Sequence, residues 1–206
     1  MAPDFPEEER LKQKNKIINE VLKNKYQVKL KSFLVREDFE NNKSTVICVV
    51  GSGFSGDLVD ISLEGTGTGA IDALFKILLK EYSKYFPSLG RVKLYDFLVK
   101  VKFQSSSRDT AAPVEVKVAI EGINNNNKLY FKETSDSLVR AGVGATCKTL
   151  EYLINAELAV RHLYEDILDA RERSRGDLIR SHTNNLIELT DFISYEETID
   201  FIKKKK

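Results

Sequence analysis

Two octapeptides constrain this chain more than any other feature of its sequence. Val28-Lys29-Leu30-Lys31-Ser32-Phe33-Leu34-Val35 and Val92-Lys93-Leu94-Tyr95-Asp96-Phe97-Leu98-Val99 agree at six of eight positions, and the segments after them agree in kind. After the first come β-type runs at residues 45–50 and 58–63, then a glycine cluster and a helical stripe. After the second come Val114, Val116, Val118 and Ile120 alternating with charged residues, a further segment at 128–132, and a helix expected to open near Gly142-Val143-Gly144-Ala145. That tetrapeptide mirrors Gly67-Thr68-Gly69-Ala70. A period of two marks strands with one buried face, and a period near 3.6 marks a helix packed by one side. Two copies of a strand-strand-strand-helix unit therefore fill residues 25–158, which predicts an α+β domain with internal pseudo-symmetry.

Helical patterns flank this core. Leu11, Ile17, Ile18, Val21 and Leu22 predict a lead-in or linker helix within residues 1–24. In the tail, residues 159–206, Leu163, Ile167 and Ala170 continue one helix, and Leu178, His182, Leu186, Leu189 and Ile193 mark a second. Ser194 with Glu197 has capping-box spacing for a short third helix, and the chain ends on four lysines read as a solvated end. Inside the core, Ile71, Leu74, Phe75, Leu78, Tyr82, Tyr85 and Phe86 form an apolar stripe that Pro87 and Gly90 terminate. The asparagine run at 124–127 reads as a hairpin tip.

Several functional classes are disfavoured by composition. Thirty-two Lys and Arg against 31 Asp and Glu leave a formal charge of +1, so no global field draws in nucleic acid or an anionic membrane. Neither a secretory leader nor a membrane-spanning run is legible, and a cytoplasmic setting is expected. Cys48 and Cys147, the two cysteines, lie in apolar stretches and read as core residues. With His162 and His182 confined to the tail, neither a metal set nor a Ser-His-Asp arrangement is spaced for chemistry, and no cofactor is expected.

The glycine cluster is the one candidate site. Gly65-x-Gly67-x-x-Ala70 formally fits a dinucleotide fingerprint, but the preceding strands read as antiparallel hairpins rather than a βαβ unit. A nucleotide-binding enzyme is therefore the weakest alternative. Gly67-Thr68-Gly69-Ala70-Ile71-Asp72-Ala73-Leu74 resembles instead the GNGPVDAL segment of the LeuA allosteric or dimerisation domain, the C-terminal regulatory domain of 2-isopropylmalate synthase and citramalate synthase. The strand Tyr26-Gln27-Val28-Lys29-Leu30, the run Ser44-Thr45-Val46, and Lys93-Leu94-Tyr95-Asp96-Phe97 are similar to that domain's strands, in order, and residues 112–120 and 142–155 to its second half.

The resemblance implies a non-catalytic homodimer that binds leucine or isoleucine at the dimer interface for feedback control of branched-chain amino-acid biosynthesis. A catalytic barrel, which needs about 250 residues, would then act in trans. Each part of an amino acid finds a host nearby. Amides of Gly67, Thr68, Gly69, Ala70 and Ile71 suit the carboxylate at a helix start. Asp72 or Asp96 suits the ammonium, and Ile71, Ala73, Leu94 and Phe97 line the approach of a branched side chain. Helix first-turn electrostatics for Asp72, and a strand-edge charge for Asp96, remain equal readings. Thr68 stands where the family has Asn, Ala70 where it has Pro, and Phe97 where it has Tyr. Those departures keep open a dimerisation scaffold that has lost its ligand.

Overall fold

In the structure, a computed structural model describing residues 5–101, 113–121 and 128–205, the repeat becomes two antiparallel three-stranded sheets. Helix α1 (Phe5–Val21) leads into β1 (Tyr26–Asp38), β2 (Lys43–Phe54) and β3 (Val59–Gly67), paired in the order β1-β2-β3. Helix α2 (Ala70–Tyr82) and a 3₁₀ turn (Pro87–Arg91) follow. The second unit is β4 (Lys93–Val101), β5 (Val114–Glu121) and β6 (Lys128–Ser135), again in sequence order, and then α3 (Leu138–Glu172). Helices α4 (Gly176–Thr190) and α5 (Glu196–Lys205) complete the chain. The α+β architecture with two like units is thus the one expected. The asparagine run at 124–127 lies outside the described residues.

The repeat extends to an irregularity. Register slips between Leu30 and Ser32 on β1 and between Leu94 and Asp96 on β4. The extra residue is Lys31 in one octapeptide and Tyr95 in the other, at equivalent positions and the first of the two at which they differ. A bulge leaves its extra residue out of the ladder, so packing does not dictate its identity. Beyond the bulge the inward face is carried by Phe33 and Val35, opposite Cys48 and Val46, and by Phe97, opposite Val118.

Helix α2 packs on β3 and β2, while α3 bridges the sheets, lying on β1 of one and on β5 and β6 of the other. Its start differs from expectation. Ser137 caps it, its Oγ accepting the Arg140 N–H, so Gly142-Val143-Gly144-Ala145 lies within the helix rather than opening it. Glycine inside a helix costs about 0.5–1 kcal/mol relative to alanine, and at Gly142 close packing explains it. A Cβ there would stand 2.9 Å from Ile71 Cδ1 and 3.3 Å from Phe97 Cζ.

The flanks are built into the body. Helix α1 packs on α3, β6 and α4. Lys14, only 1% exposed, donates to the backbone carbonyl of Glu188 and to the carboxylate of Asp191, capping the C-terminal end of α4. Helix α3 runs without a break through residue 158, and α4 packs along it. Ile193, expected on the second tail helix, falls beyond the end of α4, and Ser194 accepts the Glu196 N–H ahead of α5. No helix among the described residues is long and apolar enough to cross a membrane.

Both cysteines are buried core residues. Burial pushes the Cys147 thiol up to about 12 and raises Cys48 as well, so both stay protonated at neutral pH. A colorimetric thiol reagent is expected to modify neither in the native protein and both in denaturant. Stoichiometric native reaction would show that the core opens at these positions.

Candidate functional site

The glycine cluster divides between two elements. Gly65 and Gly67 belong to β3, and Gly69 is the N-cap of α2. A Cβ on Gly65 would fall 1.7 Å from Ile77 Cγ2, so this glycine lets α2 lie against the strand it follows. A Cβ on Gly67 would meet the backbone of Ala73, at 2.6 Å from its N and 2.8 Å from its Cα. Gly69 is different: its φ of −162° and ψ of 163° are extended backbone, and a Cβ there would have nothing within 4 Å. Space, not strain, distinguishes this position.

The first-turn N–H groups of α2 have no partner within the helix. Ala73, completely buried, closes the turn with its N–H on the Gly69 carbonyl at 2.9 Å. Asp72 turns back over the loop. Its Oδ2 accepts the Thr68 N–H at 3.0 Å, the Thr68 hydroxyl at 3.2 Å and the Lys76 ammonium at 2.7 Å. Partial burial pushes its carboxyl up, but Lys76 and Thr68 together outweigh this and hold it below the usual range. The sign is that of a depressed acid: the contribution to stability is present above the ordinary carboxylate pKa and is lost as pH falls through the lower folded value.

The structure brings Ile71 and Phe97 together over Gly142, and places Leu94 and Phe97 against a small second core of Val116, Val118, Ala141 and Ala145. Asp96 does not join them. The bulge at Tyr95 changes the alternation, so Leu94 and Phe97 share the inner face opposite Ile120 and Val118, while Asp96 pairs with Ala119 on the other face. Its Oδ1 accepts the Phe97 N–H at 2.8 Å, and the Lys128 ammonium lies 3.5 Å over the Tyr95 ring.

Sequence reasoning missed part of this face. Phe97, Val99 and Val101 alternate inward, yet Val99 and Val101 are 43% and 45% exposed, and Leu138 and Val139 at the start of α3 are also exposed. Val99 and Val101, two apart on β4, present exposed apolar side chains on one strand face, as an interaction surface does. Ser137 ahead of an apolar pair was the available signal, masked by the nearby glycine tetrapeptide. Among the described residues no group of three or more His, Cys, Asp or Glu side chains is placed to hold a metal.

No curated protein matches the chain. A family model, that of the LeuA allosteric (dimerisation) domain, matches residues 12–154. The match spans both three-stranded sheets, α2 and the first half of α3. With well over half its length matched, and with the paired strand-strand-strand-helix units in place, this chain belongs to the LeuA allosteric (dimerisation) domain family.

Proposed function

We propose that this chain is a regulatory domain that binds leucine or isoleucine between the start of α2 and β4, in a site that a second copy completes. The observation that carries this reading is the open space at Gly69, the N-cap of α2, two residues before Ile71, which meets Phe97 over Gly142, with Leu94 on the same face of β4 as Phe97. The N–H groups, with Gly67, Thr68, Ala70 and the small Ala73 shaping the turn, suit a carboxylate. The half-buried trio suits a branched side chain. The exposed Val99 and Val101, on one face of β4, give a second copy an apolar strip on which to dock. Asp72 is the nearer acid for the ammonium, and it has to exchange one of its present partners to serve. In this role the chain performs no condensation itself and adjusts a barrel subunit of branched-chain amino-acid biosynthesis in the cytoplasm.

A panel of free amino acids tests the proposal. A ligand held only by the folded state at about 100 times its Kd stabilises by about 2.7 kcal/mol. At about 2–4 °C per kcal/mol for a chain of this size, leucine or isoleucine is expected to raise Tm by roughly 5–10 °C, with lysine, glutamate and glycine inert. Gly69→Val removes the shift while leaving the fold in place, because its backbone is open to any residue and its side chain enters free space. Sedimentation is expected to give a dimer for the wild-type chain and a monomer for Val99→Glu with Val101→Glu. A second reading, a dimerisation scaffold without a ligand, is favoured by the Asp72 contacts that already span the loop and by Phe97, which lacks a hydroxyl. A flat panel on a folded dimer would select it.

A further inference from the structure

A cavity that shares no residue with the start of α2 or with β4 opens at the free edge of β6, where α1 lies along the strand. Its volume is about 390 Å³, within the range of about 300–1,000 Å³ usual for small-molecule sites. The floor is apolar and fixed. Ile18, Phe131 and Tyr152 are buried, and the Phe131 and Tyr152 rings pack at 5.2 Å. The α1 wall is fastened from behind by Lys14, through the cap it places on α4, so the hollow is not a gap under a loose helix.

The rim is cationic. Lys12 and Lys25 come from α1 and the segment after it, Lys117 from β5, Lys132 from β6 and Lys148 from α3. The two acids that line the cavity are engaged: Glu8 pairs with Lys132 at 2.7 Å, and Glu151 accepts the Val28 N–H at 3.1 Å. Lys132 is answered by Glu8 and Lys148 by Glu133 at 2.6 Å, so the rim's excess positive charge comes chiefly from Lys12 and Lys25, which pair with no carboxylate among the described residues. In a cleft with low-dielectric walls such an arrangement concentrates the field and draws anions. We propose that this cavity binds a small organic anion, its apolar body on the floor of Ile18, Phe131 and Tyr152 and its carboxylate or phosphate head among the lysines.

Calorimetric titration of the full chain with sodium octanoate, octyl phosphate and the neutral octanol, each below its micelle threshold, tests this. At least one of the two anions is expected to bind one per chain and at least tenfold more tightly than octanol, and the stronger of the two identifies the head group. Lys12→Glu combined with Lys25→Glu is expected to weaken that anion at least tenfold, whereas Lys80→Glu on α2 leaves it unchanged. Asn15→Trp, which fills the mouth from an exposed position on α1, blocks binding without reversing charge and serves if the double variant does not fold. Octanol binding as tightly as the anions, or anion binding that survives both the double reversal and Asn15→Trp, would overturn the proposal, as would no binding by either anion.

Discussion

Removing residues 174–206 is expected to lower the melting temperature by more than about 10 °C or to abolish cooperative unfolding. The tail lies beyond the matched residues 12–154, yet it is bound into the core. Leu189, Phe192, Ile193, Tyr195 and Ile202 are each less than 9% exposed, and α4 and α5 both pack on α3. Truncation would uncover Leu163, Ile167 and Ala170 on α3, and it would take away both oxygens that Lys14 holds. A single deletion of side-chain volume isolates the packing part of the effect. Phe192→Ala removes a side chain 3% exposed and should cost about 3–5 kcal/mol, or roughly 10 °C. Differential scanning calorimetry reads both results. Should the truncated chain melt within about 2 °C of the full one, the tail would be an independent arm and the α3–α4 packing would contribute little.

Glu157→Ala is the second large effect, expected at about 3 kcal/mol. Glu157 is completely buried on α3 and accepts both the Ser88 N–H at 3.1 Å and the Ser88 hydroxyl at 2.6 Å, with Arg161 one turn on as its ion-pair partner. It is the pin that fastens the 3₁₀ turn, and with it the crossing from the first unit to the second, onto the helix that bridges the sheets. Alanine leaves two donors of Ser88 buried and unanswered and removes the carboxylate partner of Arg161, which keeps the Tyr85 carbonyl at 2.9 Å. Glu157→Gln keeps an acceptor oxygen for Ser88 but turns its amide N–H groups toward the Arg161 guanidinium, so it should recover only the Ser88 part and cost about 1 kcal/mol less than alanine. Urea unfolding distinguishes the two variants by their midpoints at unchanged slope. Equal midpoints would mean that Ser88 finds water when the carboxylate is gone.

Much of the fold is legible in the sequence because it is local. The alternation of Val114, Val116, Val118 and Ile120, the stripe from Ile71 to Phe86, and the likeness of the two octapeptides each reside within one window of sequence, and each reports the face its own element buries. The same holds for Cys48 and Cys147, whose apolar neighbours announce burial. Gly142 misleads for a related reason. Its tetrapeptide looks like the one at Gly67, but a glycine can serve a turn or a close approach, and only the arrival of Ile71 and Phe97 at that point says which.

What the amino-acid sequence determined by itself is therefore the repeated unit, its α+β class, the helical flanks and the family to which the core belongs. What only the tertiary structure decided is which side chains meet. Leu94, Asp96 and Phe97 read as neighbours along one strand, but one extra residue at Tyr95 turns Asp96 to the opposite face from the other two. Side-chain direction in a strand has a period of two, so a single unpaired residue inverts everything beyond it. That residue is held out by the ladder to β5, which is separated from it in sequence and invisible in any window around it. Lys14 obeys the same rule: one lysine among many on a polar helix in sequence, it is buried because the end of α4, from the far end of the chain, is brought to it.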